Sequence, residues 1–339
     1  MCRRAGHSSS AATFGRRPER FCGCDTCAVS PQPLAAAGGA RLIALDWGTS
    51  NLRASLLGEH GRLLDHRSAA GGVMAVPERR FEAALRALCG DWIDSRACPL
   101  IASGMIGSRQ GWVEAPYLDC PASLEAAAAQ AVAVPLAGGG TLHVVPGLRC
   151  TGPDGQADVM RGEETQLWGA GLADGGCCVL PGTHSKWAWL GAGGRVQRFQ
   201  TYMTGELYAL LVQHSILGRL MQHGAPRPAA YADGVRLGLA EYAHLSHLIF
   251  AARSAGLMAA RAADELPDFL SGLLIGAEIG SARQRGAPAQ VTLLGEAALC
   301  ARYAVALELG GIGVLRAAAD ATTRGQWRVA VAAGLVGAS

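Results

Sequence analysis

Two stretches of the sequence share one pattern: an apolar run, a turn of glycine and small polar residues, and a second apolar run. They read LIALDWGTSNLR at residues 42–53 and VLPGTHSKWAWL at residues 179–190. Glycine leaves the backbone N–H groups of such a turn unobstructed, and neighbouring hydroxyl groups add further donors, so the pattern predicts a site for phosphate oxygens. The residues predicted to bind phosphate are Gly48, Thr49, Ser50 and Asn51 in the first turn and Gly182, Thr183 and His184 in the second.

A carboxylate and a lysine flank these turns. Asp46 lies at the end of the first apolar run, where a carboxylate suits Mg²⁺, which takes one or two carboxylates together with phosphates and water. Lys186 is the only lysine of the chain and follows the second turn. It either adds positive charge to the phosphate site or is solvated on a strand edge. One such turn is typical of an ordinary β-hairpin, but two turns with matching flanks predict a site that holds both ends of a triphosphate.

The elements that carry the turns are also repeated. Apolar runs predict strands at residues 42–45, 52–57 and 62–67, and again at 177–180, 187–190 and 196–201. Two copies of this arrangement at so long a spacing indicate a duplicated domain rather than a solenoid. Helical spacing predicts helices at residues 77–93, 204–218, 240–255 and 264–285, another that opens near Gly162, and a last one within 320–337.

Composition excludes several classes of protein. The 339 residues carry a net charge of +3, which resides entirely in residues 1–40, so the rest of the chain is neutral and does not predict binding to nucleic acid. Uninterrupted apolar stretches are too short for a membrane span. The eleven cysteines are odd in number and show no paired spacing, which favours reduced thiols in the cytoplasm. Residues 1–40 lack periodicity and are predicted to form a disordered extension, in which CGCDTC has no obvious fourth ligand for a metal.

Seven blocks of the sequence together resemble a known family. They are ALDWGTSNLRASLL, ASGMIGSRQGWVEAPYLDCPA, VMRGEETQLWGA, LPGTHSKW, TYMTGELYALLVQHSILG, FLSGLLIGAE and LCARY. In this order, over residues 41–337, they resemble the 2-dehydro-3-deoxygalactonokinase family. The tandem layout is similar to that of the sugar kinase, heat-shock 70 and actin superfamily. The resemblance implies an α/β fold of two ribonuclease H-like domains, residues 41–172 and 173–339, with an ATP cleft between them.

The resemblance also implies a reaction and its participants. ATP with Mg²⁺ would phosphorylate the terminal hydroxyl of 2-dehydro-3-deoxy-D-galactonate, and Asp46 would be the metal carboxylate. Related sugar kinases have an Asp-Thr pair where this chain has Glu164-Thr165. Glu164 is therefore the preferred general base and Glu163 the alternative. The glutamates also fit as helix stabilisers, since both fall in the first turn of the helix predicted near Gly162.

Further residues are assigned to the substrate and to the nucleotide. A sugar acid carries a carboxylate, which arginine binds bidentately, so Arg109 and Arg161 are candidates. Thr204 and Glu206 are candidates for sugar hydroxyls, although Thr204 also fits as a helix N-cap. Gly295 lies at the start of a predicted helix, at a position suited to binding the phosphates of adenosine nucleotides. The next residue, Glu296, differs from the small polar residue that is expected there.

The sequence is also compatible with three other functions. They are a kinase of another sugar acid, a phosphohydrolase of the same fold, and an ATP-binding regulator without turnover. The expected partners are a small sugar acid and ATP, without nucleic acid or membrane, and a homodimer is left open.

Overall fold

The structure of the protein is a computed structural model that describes residues 39–337. Residues 1–38 of the predicted extension, including CGCDTC, lie outside the described residues.

The first half of the chain forms a six-stranded sheet. Its strands are β1 (Leu42–Trp47), β2 (Asn51–Leu57), β3 (Leu63–Ala70), β4 (Leu100–Ser103), β6 (Val132–Pro135) and β7 (Thr141–Val144). Their order across the sheet is β3-β2-β1-β4-β7-β6. The pairs β1–β2 and β2–β3 are antiparallel, whereas β1–β4 and β4–β7 are parallel.

The second half repeats this arrangement. The strands β10 (Cys177–Leu180), β11 (Ser185–Leu190), β12 (Val196–Tyr202), β13 (Gln290–Leu293) and β14 (Gly313–Arg316) form a sheet of order β12-β11-β10-β13-β14. Antiparallel and parallel pairs follow the same sequence as in the first five strands of the first sheet, whose sixth strand β6 pairs antiparallel with β7 and has no counterpart. The order with two antiparallel and two parallel pairs is that of a ribonuclease H-like sheet. Its duplication confirms the predicted fold class.

The apolar runs of the sequence become the central strands of the two sheets. β1 is buried at every position except Asp46, which is partly exposed, and β10 is buried throughout. Strands with parallel neighbours are covered on both faces, which is why these runs are continuous rather than alternating. A third sheet, which the sequence did not predict, joins β5 (Tyr117–Asp119), β8 (Gly147–Thr151) and β9 (Ala157–Met160).

Helices occupy the segments between and after the strands. They are α1 (Phe81–Ser95), α2 (Leu124–Ala129), α3 (Glu163–Ala170), α4 (Thr204–His214), α5 (Pro228–Ala240), α6 (Leu245–Leu248), α7 (Ala251–Leu257), α8 (Leu266–Gln284), α9 (Ala297–Leu309) and α10 (Ala321–Ala332). The single helix expected at residues 240–255 is wrong, because two short helices stand there. α5 was not predicted.

The last helix returns to the first sheet. The side-chain amide of Gln326 donates to the Leu45 carbonyl at 2.6 Å and to the Ser103 hydroxyl at 3.0 Å. α10 also crosses α3 at very short range, since a Cβ at Gly169 would lie 1.8 Å from the Ala321 carbonyl oxygen. The glycine is required for this approach. The two halves are therefore joined by α10 as well as by the chain near residue 172, where the domain boundary stays a prediction.

The helices and the cysteines of residues 39–337 bear on membrane insertion and on disulfide bonding. None of their helices combines the length and apolar character that a membrane span needs. The seven cysteines among them are all unpaired thiols.

Candidate active site

The first predicted phosphate turn connects β1 and β2. The Gly48 N–H donates to the Asn51 carbonyl at 3.0 Å and closes the turn, while the Val73 N–H donates to the Gly48 carbonyl at 3.1 Å. The neighbouring segment thus holds the turn on one side. Thr49 and Ser50 are exposed, so their hydroxyl groups are free to meet a ligand.

Asp46 stands beside this turn, opposite Arg53 in the antiparallel register. Its Oδ2 accepts a hydrogen bond from Arg53 Nη1 at 3.0 Å, and the side chain is 24% exposed. Burial raises the pKa of Asp46, and the Arg53 guanidinium opposes that effect. A Cβ at Gly104 would lie 3.6 Å from Asp46 Oδ1, which places the second oxygen at the end of the neighbouring strand β4.

The second predicted phosphate turn is held by the start of α4. The Glu206 N–H donates to the Thr183 carbonyl at 2.9 Å, and the Glu206 carboxylate bonds to the His184 ring. A Cβ at Gly205 would lie 2.4 Å from the Gly182 carbonyl oxygen, so α4 approaches the turn this closely only because residue 205 is glycine. Thr183 and His184 are exposed. Like the first turn, this one is fixed on one side and open on the other.

An ion pair joins the two halves of the chain. Lys186 Nζ on β11 lies 3.6 Å from Glu163 Oε1 at the start of α3. The Lys186 side chain is 5% exposed, so the alternative of a lysine solvated on a strand edge is wrong, whereas Glu163 is 26% exposed. A Cβ at Gly162 would lie 3.2 Å from Gly104 Cα. The start of α3 therefore lies next to the strand end that borders Asp46.

The neighbouring Glu164 has a different environment. Its carboxylate is fully buried and accepts hydrogen bonds from the Gly162 N–H at 2.7 Å and from the Thr165 hydroxyl at 3.0 Å. Burial raises the pKa of Glu164 to about 7, and the nearby charge of Glu163 adds to this increase. Both oxygens of Glu164 are thus bound within α3, and the carboxylate that faces the space beside Lys186 belongs to Glu163.

A cavity of about 380 Å³ extends from Asp46 and Arg53 to Gly295 and Glu296. Gly295 has a φ of +151°, a conformation that glycine adopts readily, and a Cβ there would lie 3.4 Å from the Pro181 carbonyl oxygen. The Glu296 carboxylate caps α9 by accepting the N–H groups of residues 298 and 299 at 2.9 and 2.8 Å. Capping explains why an acidic residue stands where a small polar one was expected.

A second cavity of about 420 Å³ adjoins the second turn. It lies between the turn and the helices α4, α8 and α9. Its lining includes Gly182, Thr183, Tyr208, Leu274, Glu296 and Leu299. Glu296 borders both cavities, so the two spaces lie on either side of the α9 N-terminus.

Comparison with known proteins identifies the family. The family model described as 2-keto-3-deoxy-galactonokinase matches residues 46–329. The chain belongs to the 2-keto-3-deoxy-galactonokinase family. The 2-dehydro-3-deoxygalactonokinase of Escherichia coli (strain K12) is 38% identical over 284 residues, which cover 83% of this chain and 94% of that relative.

Two further relatives extend this result. DgoK1 of Rhizobium meliloti (strain 1021), named a probable 2-dehydro-3-deoxygalactonokinase, is 38% identical over 288 residues, which cover 83% of this chain and 93% of that relative. A crystal structure from Sinorhizobium meliloti, provisionally assigned as a 2-dehydro-3-deoxygalactonokinase, superposes with a TM-score of 0.79. It is 37% identical and covers 86% of this chain and 98% of that one. The match of the 2-keto-3-deoxy-galactonokinase model spans both turns and most of α10.

Within this family member, the two arginines predicted to bind the substrate differ sharply. Arg161 is 8% exposed, its Nη2 donates to the Ala115 carbonyl at 2.8 Å, and its guanidinium lies 4.3 Å from the centre of the Tyr117 ring. Its Nε and Nη1 are buried without a hydrogen-bond partner. Arg109 is 83% exposed and pairs with Glu114 at 3.4 Å. The chain therefore buries the positive charge of Arg161 and leaves two of its donors unused.

The two polar residues predicted to bind sugar hydroxyls already have partners in the chain. The Glu206 carboxylate bonds to His184, and the Thr204 hydroxyl donates to Glu278 Oε2 at 2.5 Å. The sequence analysis did not single out Glu278. The signal in the sequence was a single acidic residue within the mostly apolar block LSGLLIGAEIG of α8.

Proposed function

We propose that this chain transfers the terminal phosphoryl group of ATP to the terminal hydroxyl of 2-dehydro-3-deoxy-D-galactonate and releases ADP and the 6-phosphate. The hydroxyl oxygen forms a bond to the γ-phosphorus, the bond to the β–γ bridging oxygen breaks, and a carboxylate takes the hydroxyl proton. Membership of a galactonokinase family supports the reaction class, and the geometry supports the following roles.

The nucleotide is assigned to the space between the two turns. The exposed hydroxyls of Thr49, Ser50 and Thr183 suit the phosphates, and the 420 Å³ cavity beside the second turn has room for adenosine. Asp46 and the first turn offer oxygen donors, which are the ligands that Mg²⁺ prefers, and Asp46 would hold the ion through water. A bound Mg²⁺ supplies positive charge that neutralises the phosphate oxygens.

Glu163 is our choice for the proton acceptor. A general base must reach the hydroxyl that it deprotonates, and the Glu163 carboxylate is partly exposed whereas Glu164 is fully buried. Lys186 lies 3.6 Å from Glu163, so its ammonium group would be close to a phosphoryl group that is transferred to the hydroxyl beside Glu163. Its charge stabilises the developing negative charge on that group. Glu164 then fixes the start of α3 through its hydrogen bonds to residues 162 and 165.

Arg161 is the residue that favours a sugar acid as the substrate. The buried guanidinium has two donors, Nε and Nη1, without an acceptor, and the oxygens of a carboxylate are acceptors that also balance its positive charge. The substrate proposed here has a carboxylate beside its ketone. Arg109 is largely exposed and paired with Glu114, so it is the weaker candidate. The unpaired thiols of the described cysteines support a reducing cytoplasm as the place of the reaction.

The experiment compares sugar acids with a neutral sugar. The purified protein is incubated with ATP, Mg²⁺ and 2-dehydro-3-deoxy-D-galactonate, D-galactonate or D-galactose, and products are identified by mass spectrometry. We expect a phosphorylated product with the first compound and little with D-galactose, which has no carboxylate for Arg161. Preferred phosphorylation of D-galactonate would indicate a kinase of another sugar acid. Release of phosphate without a phosphorylated sugar would indicate a phosphohydrolase.

A further inference from the structure

A buried carboxylate lies beneath the second turn. Glu278 of α8 is 3% exposed, and its Oε1 accepts hydrogen bonds from the Ser185 hydroxyl at 2.7 Å and the Trp187 ring N–H at 2.8 Å. Its Oε2 accepts from the Thr204 hydroxyl at 2.5 Å and the Tyr303 hydroxyl at 2.7 Å. Four donors point at one carboxylate, which satisfies the group that burial would otherwise penalise.

The donors come from three different elements around the turn. Ser185 is the first residue of β11 and directly follows the turn, Thr204 is the first residue of α4, and Tyr303 lies on α9. α4 in turn holds the second turn through the hydrogen bond from the Glu206 N–H to the Thr183 carbonyl. One side chain therefore connects the end of the turn to the helix that covers it.

We propose that Glu278 is a positioning residue for nucleotide binding, which fixes the second turn and the start of α4 in the conformation that receives phosphate. The inference rests on the proposed function for the identity of the ligand. Glu278 is not a catalytic residue, since it is buried behind Ser185 and Thr204 and acts through them. A flexible turn would become ordered each time a nucleotide binds, and the cost of that ordering would reduce the free energy of binding. A pre-formed turn avoids this cost.

The substitution Glu278→Gln tests the charge with little change of shape. The carboxamide oxygen can still accept from Ser185 and Trp187. Its NH₂ group faces Thr204 and Tyr303, whose hydroxyls must turn round to accept. Hydrogen bonds to an ionised group are about twice as strong as neutral ones, so all four contacts weaken together. Asp158→Asn is a matched control, because Asp158 accepts from the N–H and hydroxyl of Thr201 at 2.7 and 2.6 Å, outside both nucleotide turns.

Hydrogen exchange and calorimetry measure the effect of the substitution. Hydrogen exchange on the ligand-free proteins should be at least about tenfold faster in E278Q for peptides that cover residues 181–186 and 203–207. The dissociation constant of ATP, measured by calorimetry, should rise at least about tenfold, while the KM for the sugar acid stays within about twofold. D158N should lose thermal stability without either change.

Several outcomes would overturn the inference. The first is hydrogen exchange at wild-type rates in both segments of E278Q. The second is an equal weakening of the binding of ATP and of the sugar acid, as a general loss of stability would produce. If E278Q fails to fold, Ser185→Ala is the substitute, because it removes only one of the four donors. Its hydrogen exchange and ATP affinity are measured in the same way. Unchanged hydrogen exchange in this variant would contradict the inference. If the wild-type protein does not bind ATP, the proposed function fails, whereas the exchange comparison still decides whether Glu278 positions the turn.

Discussion

The substitutions Glu163→Gln and Glu164→Gln form a matched pair. Both replace a carboxylate with a carboxamide of the same shape in the first turn of α3. The Glu163 side chain is 26% exposed beside Lys186, and Glu164 is fully buried with both oxygens bound inside the helix. We therefore expect the first change to act on catalysis and the second on stability.

For Glu163→Gln the expected effect is on the rate. General-base assistance is worth about 10²–10⁴-fold, so kcat should fall at least about a hundredfold. The KM for ATP should change little because the two phosphate turns are untouched. Thermal stability should fall only modestly: the carboxamide oxygen can still accept the Arg161 N–H that Glu163 Oε2 accepts at 3.0 Å, but the nearly buried Lys186 loses its charged neighbour at 3.6 Å.

For Glu164→Gln the expected effect is on the pH dependence of stability. Burial raises the pKa of Glu164 from 4.5 to about 7, so the folded protein binds this proton more tightly than the unfolded chain. The resulting stability is fully present below about pH 4.5 and is lost as the pH rises through about 7, a loss of about 3 kcal/mol in the free energy of unfolding. The glutamine variant has no such proton and should lack this part of the pH dependence.

The assays are steady-state kinetics at saturating substrates and urea unfolding at several pH values between about 4.5 and 8. A hundredfold loss of kcat in E164Q together with a change below tenfold in E163Q would refute the reasoning and assign the base to Glu164. Equal pH dependence of unfolding in wild type and E164Q would show that Glu164 does not titrate as its burial predicts. If neither variant loses rate, the proton passes to another group or to solvent.

Three further substitutions test the remaining parts of the site. Asp46→Asn should keep the melting temperature and lose more than about tenfold in kcat, since the metal carboxylate is gone, and a smaller loss would exclude that role. Arg161→Met should raise the KM for the sugar acid at least about tenfold and leave the affinity for ATP unchanged, whereas Arg109→Met should change neither, and equal effects of the two would contradict the assignment. Gly205→Ala should push α4 away from the second turn and weaken ATP binding, as measured by calorimetry, while Gly224→Ala, where an added Cβ meets nothing within 4 Å, serves as the control.

The sequence by itself determined the repeated framework. Both copies of strand, turn and strand were readable because central strands with parallel neighbours need continuous apolar runs, and because glycine and small polar residues interrupt them at the turns. The places of Asp46, Gly48 and Gly182 in the chain followed from that pattern. Short strands are harder to predict: residues 141–151 hold two strands of different sheets, separated by only two residues.

Other features depend on residues that are far apart in the chain. Gln326 of α10 bonds to Leu45, 281 positions away, and brings the last helix back to the first sheet. Glu278 meets Ser185 over 93 positions. No local pattern specifies such partners, since each arises only when distant elements pack together.

Burial decided the difference between adjacent residues. Glu163 and Glu164 have the same chemistry and occupy neighbouring positions, so the sequence could not separate them. The direction of each side chain in α3 leaves one carboxylate partly exposed beside Lys186 and encloses the other, whose pKa rises because a buried charge loses its solvation. Arg161 and Arg109 differ for the same reason. The residue types were set by the sequence, and their solvent exposure and partners were set by the tertiary structure.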